Sequence, residues 1–455
     1  MTDFTTLWNR RRFLEQCGLG AASLAIAGTP QFAPKAKRLV YLFMEGGPSH
    51  LDLFDDKPKL RAMDGEPFPM SLLAGKKFAF MDNMAAPTVY GSKATFKPRG
   101  QSGNVVSSLL PEIASIADKI AVIKTVKTGN VNHSPAMVMA HTGSMIPGRP
   151  SLGAWLLYGL GRESKNLPDF VSMISGPRGP RNGPDIWGSG FLPSHFQGVP
   201  FMSGPQPIFD INSQPGVTAE RQRRAIDAIA DLNRERMSAT GDGEIATRIA
   251  SYEMAFRMQS SAPELVDLNG ESKETLEMYG ATPGKASFAN NCLMARRLIE
   301  RGVRVVQVYH TDWDHHTNIE TSLKKICPEV DRPSAALIKD LEQRGLLKDT
   351  LVVWGGEFGR TPMSEGGKRG SLGRNHQIDA YTMWMAGGGI KAGITVGETD
   401  EMGLRAVSDP APLHDMHATI LHQFGFDHTK LTYRFQGRDF RLTDTSGTPI
   451  AKLIA

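Results

Sequence analysis

The run Leu351-Val352-Val353-Trp354-Gly355-Gly356-Glu357-Phe358-Gly359-Arg360-Thr361-Pro362 constrains the fold of this chain more than any other stretch. An apolar, β-branched segment ends in two glycines, and a carboxylate and a guanidinium then emerge before a proline. Residues of that kind favour strands, and a strand with no polar face is one buried between layers. The pattern predicts a buried strand that delivers Glu357 and Arg360 to the carboxyl edge of an α/β sheet, where open sheets bind ligands. Three more apolar runs end in the same way. Leu39 to Met44 precedes Glu45-Gly46-Gly47-Pro48-Ser49-His50-Leu51-Asp52, Val303 to Val308 precedes His310-Thr311-Asp312-Trp313-Asp314-His315-His316, and Ile120 to Val126 precedes Thr128 and Asn132-His133. Strand ends loaded with Asp, Glu, His, Ser and Thr point to a metal-assisted site, since neutral imidazoles and carboxylates suit divalent ions.

The rest of the chain fits an elaborated α/β core. The 455 residues accommodate one large domain with insertions, and 47 glycines with 29 prolines predict many loops. The net charge of +5 is scattered rather than gathered into a stripe, which argues against nucleic-acid binding. Val105 to Ala117, Ala219 to Met237, Gly243 to Met258, Phe288 to Arg301, Leu337 to Gly345 and Leu413 to Phe424 read as helices. A further helix opens at Ser134-Pro135, the expected cap and first turn, and closes at Thr142-Gly143. Gly176 to Pro207 is a long Gly/Pro loop, a kind that is usually functional or tied down. It begins an insertion over about 176–284.

The N-terminus reads as an address. Arg10-Arg11-Arg12-Phe13-Leu14 followed by the small apolar run Gly18 to Gly28 has the form of a twin-arginine export signal over residues 1–27, with the translocase as partner. Residues 28–455 then form a single exported domain in the periplasm or outside the cell. No other apolar run approaches the ~20 residues of a membrane span. Cys292 and Cys327 are not spaced as a thiolate metal site, and their pairing is open.

Five motifs in order resemble the exported bacterial family catalogued as domain of unknown function 1501. They are Gly46-Gly47-Pro48-Ser49 with Asp52, Asn132-His133 with Thr142-Gly143, Trp313-Asp314 with His316, Glu357 to Pro362, and Gly373-Arg374-Asn375-His376. That family is similar to the alkaline phosphatase superfamily. The resemblance implies a three-layer α/β/α sandwich, metal ions at the strand ends, and hydrolysis of phosphate or sulfate esters, small or polysaccharide. By the same resemblance, Asp314, His316, Glu357 and His376 look like metal ligands. Glu45 or Asp52 stands for the acidic ligand after the first strand, with Asp52 preferred because it belongs to the family pattern. The ion is Zn, Mn, Ca or Fe. Thr128 lies near the position of a Thr nucleophile; Ser49 or water on the metal are the other attacking groups. Arg360 or Arg374 is expected to hold the ester oxygens, and His133 belongs to the catalytic set. The formylglycine signature of many sulfatases is absent, since Met137 stands where its Arg belongs. An Asp-His pair usual in the superfamily is replaced by Glu357-Phe358, which removes one imidazole and points to one metal rather than two. A different class stays open: an exported protein that has lost catalysis and binds polysaccharide or cell-envelope partners.

Overall fold

In the computed structural model, the apolar runs become the inner strands of one nine-stranded sheet. The structure describes residues 29–73, 87–164, 166–175, 178–204, 206–208, 211, 215–365 and 371–455. The export signal expected at 1–27 lies outside the described residues.

The sheet strands are β1 (Arg38–Met44), β2 (Ile120–Lys127), β3 (Phe170–Ser175), β4 (Val199–Met202), β5 (Val305–His310), β6 (Thr350–Gly355), β9 (Tyr381–Ala386), β10 (Ile394–Val396) and β11 (Ala411–Pro412). Between β6 and β9 the chain forms a separate antiparallel ribbon of β7 (Gly359–Glu365) and β8 (Gly373–Gln377). The sheet order is β10-β2-β9-β6-β1-β5-β3-β4, with β11 also paired to β2. β9 is antiparallel to both neighbours, and the other pairings are parallel. The register pairs Met44 and Ser175 with His310, and Phe43 with Gly355. The residues following β1, β5 and β6 therefore emerge at one edge. Antiparallel β9 starts at that same edge, which brings the end of β8 there too.

Successive strand residues point to opposite faces, and here both faces are covered. Val40, Leu42, Val306, Val308, Val352 and Trp354 join one apolar core with α6 (Phe288–Glu300) and α7 (Ile319–Gln343). Leu39, Tyr41, Phe43, Val305, Leu351 and Val353 join a second with α2 (His133–Thr142), α3 (Leu152–Leu160) and α8 (Leu413–Gln423). This is the three-layer α/β/α sandwich. α1 (Pro111–Ala114) borders the first core, and its amides at Glu112 and Ile113 donate to the Asp331 carboxylate of α7 at 2.9 and 2.7 Å.

Several local expectations are corrected. The start of the helix expected at Val105 is the strand Asn104–Ser107, paired to Phe96–Arg99, leaving only α1 helical. The helix expected from Leu337 begins at Ile319 and runs through Pro328 and Pro333, because its apolar stripe packs on α6 strongly enough to absorb the lost amide bonds. Pro362 does not stop the chain; it sits inside β7, on a ribbon where a missing amide is tolerated. α2 is capped two residues earlier than Ser134, at Asn132, which places His133 at the first helical position. α4 (Ala219–Thr240) and α5 (Glu244–Val266) pair with each other, and α4 buries only Ile226 and Ala230. Cys292 and Cys327 are buried free thiols.

Three buried imidazoles make the fold acid-sensitive. His141 Nδ1 and His417 Nε2 lie 2.8 Å from the carbonyls of Met137 and Ala140, and His50 Nε2 lies 3.3 Å from that of Gly403. Burial lowers the pKa of His50 and His141 to about 4 and of His417 to about 3. The unfolded chain therefore takes up protons first as the pH falls below about 6.5. The stabilisation is complete above that pH and is lost progressively toward pH 4, by up to ~1.4 kcal/mol per pH unit for each imidazole. Denaturant unfolding between pH 7 and 4.5 is expected to show this decline. His417→Gln, which keeps a donor for Ala140, is expected to flatten the slope by up to one proton relative to the natural chain.

Candidate metal centre

The residues at the shared sheet edge converge on four ligand atoms. His133 at the start of α2, Asp314 and His316 in the loop after β5, and His376 on β8 offer atoms that all lie within 4.8 Å of one another. His376 Nε2 is 2.9 Å from His316 Nε2 and 3.3 Å from Asp314 Oδ1. His316 Nε2 is 2.9 Å from Asp314 Oδ1, and His133 Nε2 is 3.0 Å from Asp314 Oδ2. An ion with bonds of ~2 Å in a tetrahedral shell holds ligand atoms ~3.3 Å apart, so small adjustments suffice to seat one.

Each imidazole is aimed by a partner on its other nitrogen. His133 Nδ1 lies 2.6 Å from Glu357 Oε1, His316 Nδ1 lies 2.7 Å from Glu365 Oε2, and His376 Nδ1 lies 2.6 Å from the Val131 carbonyl. All three partners are acceptors, so each Nδ1 carries a proton and each Nε2 is the nitrogen turned toward the centre. Phe358, fully buried, packs against the rings of His133 and His376 at 4.8 and 4.4 Å between centroids. Glu357 is fixed in turn by the Gly46 amide, at 2.9 and 3.2 Å from its two oxygens. Gly46 has φ +118°, and a Cβ there would lie 2.5 Å from the Asp314 amide nitrogen. Only glycine lets the loop after β1 pass so close beneath the loop after β5.

The electrostatics call for positive charge between these atoms. Burial alone raises the Asp314 carboxyl, but the three imidazoles and Arg360 outweigh it and hold it far below the usual carboxylate range. Burial opposes charge on His316, yet Asp314 and Glu365 push its pKa up to about 9. His133 is raised against burial by Asp314 and Glu357. Burial, aided by Arg360 and the neighbouring imidazoles, holds His376 down to about 4. Without an ion, a proton on His316 supplies part of that charge. Three nitrogens and a carboxylate are the donor set that zinc, manganese and iron accept.

The structure distributes the other expected site residues differently. Asp52 is not among the four converging residues. Its oxygens face the Arg374 guanidinium at 2.8 and 3.2 Å, and the Ser49 hydroxyl donates to Oδ2 at 2.5 Å. Glu357, expected as a ligand, stands one layer out and positions His133. Arg360 and Arg374, expected to grip ester oxygens, are fully buried with their donors turned inward. Arg360 bonds the carbonyls of Gly46, Gly47, Trp313 and Arg374 together with Asp314 Oδ1. Arg374 bonds the carbonyls of Tyr90 and Thr361 besides Asp52. The Thr128 hydroxyl is buried without a hydrogen-bond partner. His133, placed in the catalytic set from sequence, is one of the four converging residues.

Two arginines were missed. Arg181 Nη2 is 3.3 Å from Asp314 Oδ2, its Nε is 3.5 Å from Glu45 Oε1, and its Nη1 has no hydrogen-bond partner. Arg178 lies beside it, 3.0 Å from Asp312. Both belong to the Gly/Pro loop after β3, whose length was the available signal, although one arginine among glycines and prolines has no distinguishing spacing.

Metal and proton compete for Nε2 of His316. Binding of Zn²⁺ or Mn²⁺ at neutral pH is expected to release a proton from His316, measurable by calorimetry in buffers of different ionisation enthalpy. Affinity is expected to rise toward pH 9, roughly tenfold per pH unit for each proton displaced. Glu357→Gln, which takes the charge from behind His133, is expected to weaken the metal by ~10–100-fold. Binding without proton release would contradict this account.

Comparisons with known proteins place the chain. No curated protein sequence matches it. Among solved structures, it is similar to the sulfatase PsFucS1 from Pseudoalteromonas sp., with 12% identity, a TM-score of 0.38, and 95% of this chain and 78% of that one covered. The lipoteichoic acid synthase LtaP from Listeria monocytogenes is similar at 9% identity and TM-score 0.38, covering 95% of this chain and 81% of that one. The phosphonate monoester hydrolase SpPMH from Silicibacter pomeroyi is similar at 10% identity and TM-score 0.36, covering 86% and 73%. Residues 36–454 match the family described as "Protein of unknown function (DUF1501)", and the chain, matched over nearly its whole length, belongs to that family.

Proposed function

We propose that this protein is a metal-dependent hydrolase of phosphate or sulfate esters, exported by the twin-arginine route to the periplasm or beyond. The observation that carries the reading is the convergence of His133, Asp314, His316 and His376, each imidazole held by an acceptor behind it. A divalent ion bound there supplies Lewis acidity to a phosphoryl or sulfuryl oxygen. The chain's own residues provide the rest. Arg178 and Arg181 put two guanidiniums beside the centre, partly exposed and suited to the non-bridging oxygens of a tetrahedral anion. The unpartnered Nη1 of Arg181 is a donor in want of an acceptor. Ser49 is committed to Asp52, which leaves Thr128 or water as the attacking oxygen. In hydrolysis a new P–O or S–O bond forms to that oxygen, the bond to the leaving group breaks, and the departing oxygen takes a proton.

A second reading has its own support. The Ser49 hydroxyl is bonded away and the Thr128 hydroxyl is buried, so the same centre suits a protein that binds polysaccharide or envelope esters without turning them over.

Metal analysis of the purified protein, with assays on aryl phosphates, phosphodiesters and aryl sulfates, separates the two. Hydrolysis of at least one ester class is expected, abolished in His376→Ala. Arg181→Ala is expected to lower kcat/KM by ~10–100-fold, the value of a charge-assisted hydrogen bond. Stoichiometric metal with no turnover of any ester would leave the binding reading, and protein without metal affinity would remove both.

A further inference from the structure

A second polar cleft is lined in part by the loop that carries Asp314 and His316. It has a volume of about 250 Å³ and is lined by residues from the ends of β3 and β5, from that loop, and from the first turns of α7. Its floor holds Ser175, His310, Thr311 and His315, none more than 8% exposed, and its rim holds Asp312, Ser322, Lys325 and Glu329. The centre described above uses none of these side chains.

The chemistry of the cleft is fixed in detail. Trp313 Nε1 can only donate, and it lies 3.2 Å from His310 Nδ1, so that nitrogen accepts and the proton sits on Nε2. His310 Nε2–H then points at Glu329 Oε2, 3.2 Å away. The Ser175 hydroxyl oxygen lies 2.6 Å from the Asn291 amide nitrogen, which leaves its hydrogen available to an acceptor. Asp312 is paired with Arg178 at 3.0 Å, and Lys325 stands one helical turn before Glu329 on α7. Carboxylates and cations therefore balance. A phosphate or sulfate meets Asp312 and Glu329, and a metal ion meets Lys325, so neither is favoured. A neutral ligand that donates and accepts at closely spaced hydroxyls satisfies all of these groups, and Ile326 adds an apolar patch for C–H bonds. The volume is below the ~300–1,000 Å³ of clefts that hold drug-sized ligands, which limits the occupant to about one ring.

We propose that this cleft binds a single neutral pyranose unit through its hydroxyl groups. That the sugar belongs to an esterified glycan whose ester reaches the neighbouring centre rests on the hydrolase reading; sugar binding itself does not.

The test uses the full exported domain, loaded with Zn²⁺ and labelled at histidine, titrated with glucose, galactose, mannose and xylose while the imidazole resonances are followed. At least one sugar is expected to shift His310 and His315 saturably. The surface variants Glu329→Gln and Lys325→Met are each expected to weaken that binding about tenfold, the loss of one hydrogen bond to a charged group. No saturable shift with any of the four overturns the proposal, as do shifts confined to His133, His316 and His376 or unchanged in both variants. Shifts at His310 and His315 in a protein that hydrolyses no ester would leave the cleft standing and remove only the hydrolase reading.

Discussion

The guanidinium of Arg360 holds the edge of the sheet together. It is fully buried, and it reaches the carbonyls of Gly46 and Gly47 after β1, of Trp313 after β5 and of Arg374 on β8, as well as the Asp314 carboxylate. These segments are far apart in sequence; the sheet and the ribbon bring them to one edge, and Arg360 ties them together there. Arginine suits the task because its five donors form a rigid fork that stays charged. Removing one partner of such a buried pair typically costs ~3–5 kcal/mol, since the other charge is left without compensation. The carboxylate that organises the four-residue centre is thus itself positioned by a group that cannot reach a substrate.

The centre is built outward from that point. Asp314 has one oxygen on Arg360 and faces three imidazoles, and the imidazoles are oriented by Glu357, Glu365 and a carbonyl. The acceptors fix the tautomers, and the tautomers direct the lone pairs inward. The pKa shifts follow from this arrangement: His316 and His133 rise because carboxylates flank them, and His376 falls because it is buried beside two other rings and Arg360. A compact polar cluster in a partly desolvated crevice acquires a strong preference for a cation.

Much of this was legible in the sequence where local chemistry decides it. The runs at Leu39, Ile120, Val303 and Leu351 read as buried strands and are strands of the one sheet. What spacing could not show was which polar residues face each other. Asp52 and Arg374 form a buried pair across 322 positions, and Arg360 turns inward, although both arginines sit in ligand-like contexts. Arg178 and Arg181, the partly exposed arginines beside the centre, lie instead in a Gly/Pro loop, where no periodicity marks them. The helix expected from Leu337 starts at Ile319 and includes Pro328 and Pro333, which its packing on α6 accommodates. The strand at Asn104–Ser107 was read as helix because its apolar spacing fits either period over so short a span.

The Glu357-Phe358 pair shows how a change of residues alters the kind of site. At the end of β6, a carboxylate free to point outward could have held an ion directly. Here its oxygens are engaged by the Gly46 amide and by His133, so Glu357 orients a ligand instead of being one. The phenyl ring that follows packs against His133 and His376, occupying with carbon the space where an imidazole would carry a lone pair. Glu45, the remaining carboxylate nearby, is fully buried, raised in pKa by burial and by Glu357, and faced by Arg178 and Arg181. Two guanidiniums beside it leave little electrostatic reason for a second ion there. The donor atoms of the described residues therefore favour one cation between His133, Asp314, His316 and His376, with arginine supplying the remaining positive charge.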